Sequence, residues 1–177
     1  MNDAQKIALI ASFLLRYPDA TWYDELEEWK GDATSVAHPQ LRQALVEFFD
    51  YVEEMPRKEF EDQYVRTFDF SQNTNMYLST YELQGTGEQA EELVKYKAFF
   101  LENGYDLPKE MPDFVPAILE LCALIEEEKA KEIYKHLISN KKTAPFTPAD
   151  IVEAVSYADR LVVFCPSVTP GRGSGHL

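Results

Sequence analysis

The sequence predicts an all-α fold, a single-domain helical bundle of about seven to eight helices. Apolar residues recur at three- and four-residue spacing along most of the chain, while polar–apolar alternation is scarce. Helix punctuation is present at both ends of these runs, with proline or acidic residues at starts and glycine after stops. The chain has 177 residues, 45% hydrophobic and 13% aromatic, which suffices for one core, and no linker divides it.

The first helix runs from about Asp3 to Arg16 and stops before Tyr17-Pro18. Thr21 to Lys30 forms a second, with Gly31 expected as its left-handed cap. Pro39 suits the first turn of a third helix after His38, and Leu41, Leu45, Phe48, Phe49 and Val52 share one face of it. Pro56 opens a fourth, whose buried stripe Phe60, Tyr64 and Phe68 repeats every fourth residue. From Asp69 to Thr86 the text DFSQNTNMYLSTYELQGT changes character and predicts a long connection with one helical turn around Met76 to Leu83. Long connections within compact domains are often functional.

Helical spacing resumes from Glu88 to Asn103, and Gly104 stops it. Asp113 is expected to cap the next helix, through Ile125, with Pro116 in its first turn. Its apolar face is Phe114, Ile118, Leu121, Cys122 and Ile125. Ala130 to Asn140 adds a helix with Ile133, Tyr134 and Leu137. Thr147-Pro148-Ala149-Asp150 begins a last one, which turns Ile151, Val155, Ala158 and Val162 inward. These elements make one helical domain over residues 1–165, followed by a flexible tail over 166–177 that has nothing to bury.

Charge narrows the function classes. Lys plus Arg number 17 and Asp plus Glu 31, a formal charge of −14. Such a surface repels phosphate backbones and anionic lipid heads, which disfavours nucleic-acid and membrane-surface binding and favours a cationic partner. The opening stretch carries Asp3 and Lys6 before a short apolar run broken by Ser12 and Arg16, so no targeting segment is expected. No run reaches the length of a membrane span. Two separated cysteines, Cys122 and Cys165, read as buried thiols and point to the cytoplasm.

Catalytic and metal chemistry find little support. Gly171 to Gly175 is glycine-rich, but it follows no strand and opens no helix, as a phosphate loop would. Cys122, Cys165 and His136 lack paired metal-ligand spacing. None of the three histidines stands beside a Ser or Cys in a nucleophile elbow. No cofactor or metal is therefore expected. What stands out is Tyr64, Phe68, Asp69 and Phe70 leading into Asn73, Asn75 and Tyr77. Rings on one helix face followed by polar groups suit a bound peptide, while core packing and turn capping account for the same residues individually. A second element, Glu110, Pro112, Asp113, Phe114 and Pro116, brackets a helix start with prolines and reads as a hinge or groove wall.

The texts YVRTFDFSQNTNMYLSTYE and LVKYKAFFLENGYDLPKEMPDFVPAILEL, in that order, resemble the NarJ-type nitrate reductase molybdenum cofactor assembly chaperones. These belong to the TorD-like redox enzyme maturation proteins, and the similarity extends from LLRYPD through the helix after Thr147. The trimethylamine-oxide and dimethyl-sulfoxide branch favours Glu-x-Pro-Asp-His. Glu110, Met111, Pro112 and Asp113 fit that pattern, whereas Phe114 replaces the histidine and points to the nitrate branch. The resemblance implies a TorD-like all-helical fold, no catalytic activity, and binding to the N-terminus of the nitrate reductase α subunit. The apoenzyme would be kept open for molybdenum cofactor insertion before it meets its membrane partner, with cofactor delivery proteins as candidate further partners. On the residues alone two rivals stay open: an acidic helical regulatory or scaffold protein binding another basic partner, and a small helical enzyme.

Overall fold

The computed structural model describes residues 1–70, 76–79, 86–106 and 109–139, and among them are seven helices and no strand. Helix α1 (Asp3–Leu14) starts at Asn2, whose side chain accepts from the Gln5 N–H at 2.8 Å while the Gln5 side chain accepts the Asn2 N–H at 3.0 Å. This reciprocal box satisfies two donors that the first turn cannot pair internally. Asp19 caps α2 (Ala20–Thr34) by accepting from the Trp22 N–H at 2.9 Å. The His38 ring caps α3 (Pro39–Glu54), with Pro39 opening the helix as expected. Helices α4 (Arg57–Phe68), α5 (Thr86–Glu102), α6 (Val115–Leu124) and α7 (Glu127–Ser139) complete the set.

Two glycines part company. Gly104 takes φ +79° after α5, and the Gly104 and Tyr105 N–H groups close the helix end on the Leu101 and Phe100 carbonyls. Gly31, expected as a cap, instead lies inside α2, which runs on to Thr34. Ala33 and Val36, beyond it, are completely buried. Seating that turn in the core outweighs the roughly 1 kcal/mol that glycine costs within a helix. Ser35 closes the end instead, its hydroxyl donating to the Asp32 carbonyl at 2.6 Å.

The expected helical turn around Met76 to Leu83 is corrected at its start. Tyr77 forms an isolated antiparallel bridge with Phe114, and Met76 and Leu78 are buried to either side of half-buried Tyr77. Alternating burial of this kind belongs to an extended strand, where neighbouring side chains point to opposite faces. Ser79 is already helical, while residues 80–83, the helix after Thr147, Cys165 and the tail over 166–177 lie outside the described residues.

Apolar side chains gather in two clusters that share α1. Ile7, Ile10 and Phe13 pack with Trp22 and Leu26 of α2, with Leu41, Leu45, Phe49 and Val52 of α3, and with Phe60 of α4. Ala11 and Leu15 turn to the other cluster, built on Tyr96 and Phe100 of α5, Ile118, Leu119 and Cys122 of α6, and Ile133 of α7. Burial on both sides explains why α1 is apolar nearly all round. Its one buried hydroxyl, Ser12, donates to the Pro116 carbonyl at 2.8 Å, so it is satisfied where α1 meets α6.

Candidate functional site

Where the two clusters adjoin, three segments surround a cavity of about 780 Å³. One wall is the turn from α1 into α2, with Phe13, Tyr17 and Trp22. Phe13 and Trp22 stack with centroids 4.8 Å apart, and the Trp22 indole N–H donates to the Phe13 carbonyl at 2.8 Å, which fixes both rings. The second wall is the end of α4, with Tyr64, Phe68 and Asp69. The third is the approach to α6, with Glu110, Phe114 and Ala117, and with Met76 and Tyr77 laid against it.

On the second wall Tyr64 meets Phe68 at 4.7 Å and Tyr17 edge-on at 5.5 Å. Its hydroxyl donates to the Leu15 carbonyl at 2.9 Å, tying α4 to the end of α1. Burial, followed by the charge of Asp69, raises the pKa of this phenol, so it stays a donor at neutral pH. On the third wall the Tyr77 ring lies 5.3 Å from Phe114, and its hydroxyl donates to Glu110 at 3.1 Å. Burial and then Glu110 raise its pKa as well. Asp19, Glu25, Asp69, Glu110 and Glu120 line the cavity against Arg16 and Lys109, and Arg16 is already paired with Glu120. Acids therefore dominate a largely aromatic hollow.

Of the residues singled out from sequence, Tyr64, Phe68, Asp69, Tyr77, Glu110 and Phe114 converge on this cavity. Phe70 is 80% exposed and stands outside its lining. Pro112 is half-buried and also outside it, and Pro116 is buried against α1. Asn73 and Asn75 lie outside the described residues.

Asp113 requires a correction. It does not cap α6, whose N-cap is Phe114 and carries no side-chain cap bond. The Asp113 side chain is 1% exposed and accepts from the Ser79 N–H at 3.0 Å and the Ser79 hydroxyl at 2.6 Å. Two charge-assisted bonds in a buried site outcompete a single cap bond. The first N–H of α6, on Val115, is satisfied by the Met76 carbonyl at 2.9 Å, which removes one need for a cap.

Sequence reading missed the α1–α2 wall: Phe13, Arg16, Tyr17, Asp19, Trp22 and Glu25 carry no local signature of a cavity. It also missed Glu92, which is only 8% exposed and faces His136 at 3.1 Å. The Cys122 thiol is buried, which pushes its pKa up to about 12. Among the described residues no group of three or more His, Cys, Asp or Glu side chains could hold a metal ion. No described helix is long and apolar enough to cross a membrane.

The described residues define an all-α protein with an acid-rimmed aromatic groove. Residues 33–145 match the nitrate reductase delta subunit family. A probable nitrate reductase molybdenum cofactor assembly chaperone, NarJ of Bacillus subtilis strain 168, is 35% identical over 141 residues, covering 78% of this chain and 76% of the relative. The chain belongs to the nitrate reductase delta subunit family.

Proposed function

We propose that the groove between the α1–α2 turn, the end of α4 and the start of α6 binds the N-terminal segment of the nitrate reductase α subunit. The apoenzyme is thereby held open for molybdenum cofactor insertion, in the cytoplasm and before membrane assembly. Family membership makes the chain a non-enzymatic chaperone of nitrate reductase molybdenum cofactor assembly. The proposal adds where the client is held and by what chemistry.

The observation that carries it is the lining itself: rings from three segments with acidic side chains at their edges. A cationic amphipathic segment would set its apolar side on Tyr17, Tyr64, Phe68 and Phe114 and its positive side chains near Asp69, Glu110 and Glu25. The net charge of −14 steers such a segment inward and rejects acidic competitors, an effect that salt weakens. Release must follow loading, so a dissociation constant between micromolar and nanomolar, about −8 to −12 kcal/mol, suits the task.

Calorimetry with a peptide copying the first residues of the α subunit, against a scrambled control, tests this reading. Binding that weakens as salt is raised is the expected result. No heat from a protein whose helical content is intact would overturn it.

A further inference from the structure

We propose that Ser79 and Asp113, neither of which lines the groove, are positioning residues that set client affinity by holding the wall made of Met76 and Tyr77. The inference rests on the groove being the client site. Ser79 is 3% exposed and Asp113 1%, so neither can touch a bound segment. The Ser79 N–H and hydroxyl each donate to Asp113, and the hydroxyl also accepts from the Gln89 side chain of α5 at 3.4 Å. One hydroxyl therefore joins the connection, α5 and the approach to α6.

Beside this junction the Leu78 N–H donates to the Asp113 carbonyl at 3.2 Å, and the Val115 N–H donates to the Met76 carbonyl at 2.9 Å. Tyr77 and Phe114 are the opposed residues of this bridge, and both line the groove. A single bridge has no neighbouring ladder to stiffen it, so its persistence depends on side-chain ties close by. The Asp113 carboxylate is a buried charge, and among the described residues its second oxygen has no hydrogen-bond partner. The Ser79 donors thus supply the described hydrogen bonds to that carboxylate, and removing one loosens the bridge and the ring it presents.

The test compares the wild-type protein with Ser79→Ala and Ser79→Thr by peptide calorimetry and amide hydrogen exchange. We expect Ser79→Ala to bind the α-subunit peptide about tenfold more weakly or worse, as for loss of a hydrogen bond to a charged group. Exchange at the Leu78 and Val115 amides should quicken by a similar factor, while α2 and α3 keep wild-type protection. Ser79→Thr retains the hydroxyl and should restore both. Wild-type affinity in Ser79→Ala overturns the inference alone, as does an exchange increase spread equally through α2 and α3. No heat from the wild-type protein overturns the client reading, and this inference with it.

Discussion

Replacing Tyr64 with phenylalanine removes one oxygen from the groove and leaves the ring in place. That oxygen donates to the Leu15 carbonyl at 2.9 Å, and Leu15 is only 6% exposed. Water is poorly placed to take over the bond. A neutral hydrogen bond is worth about 0.5–1.5 kcal/mol net, and a stranded buried acceptor can cost about 1–3 kcal/mol, so we expect a loss of about 1–2 kcal/mol. For a chain of this length that is roughly 2–8 °C in Tm. Urea unfolding should show a lower midpoint with the same slope.

An alkaline series adds a second readout. The folded protein holds Tyr64 neutral beyond its ordinary pKa of 10.0, chiefly through burial. The resulting stabilisation is complete below pH 10.0 and is lost as pH rises through the raised folded value, so the gap between wild type and Tyr64→Phe should narrow above pH 10.0. Peptide affinity should stay within about threefold, because the ring is kept. An unchanged Tm would refute the tie between α4 and α1. A large affinity loss at unchanged stability would show the hydroxyl itself reading the client.

Asp69→Asn should weaken peptide binding up to about fivefold at low salt with little change in Tm, since Asp69 is exposed, and the difference should vanish as salt is added. Gly104→Ala should cost about 1–2 kcal/mol in urea unfolding without altering peptide affinity. The backbone there has φ +79°, and an added Cβ would meet nothing within 4 Å, so the cost is conformational. Cys122 should label slowly with a thiol reagent near neutral pH, because burial keeps it protonated, and should label freely once urea unfolds the chain. Rapid labelling of its tryptic peptide in the native protein would contradict that burial.

Local chemistry was the most legible part of the sequence. Pro39 after His38 and Gly104 after α5 each act within a turn or two of chain, and the structure uses them as read. Of the α4 stripe expected to be buried only Phe60 is, with Tyr64 and Phe68 half-buried along the groove. Gly31 and Asp113 were misread because each has a local role available and a distant interaction that outweighs it. Gly31 yields to the buried Ala33 and Val36, and Asp113 to Ser79, far away in sequence. The candidate groove was legible only at the end of α4 and the approach to α6, where rings and polar groups follow one another in sequence. Its α1–α2 wall depends on how Phe13 and Trp22 lie against α4 and α6, a packing outcome with no signature in either segment.

Ser12 and Pro116 meet across 104 positions of chain, and Arg16 reaches Glu120 over the same span. During translation α1 therefore leaves the ribosome long before the helix that covers much of it exists. At roughly 5–20 residues per second the delay is on the order of 5–20 s, ample time for a greasy nascent segment to find a wrong neighbour. A member of a family of assembly chaperones thus passes through an unguarded interval of its own, and holdase chaperones acting on its first helix should raise its yield.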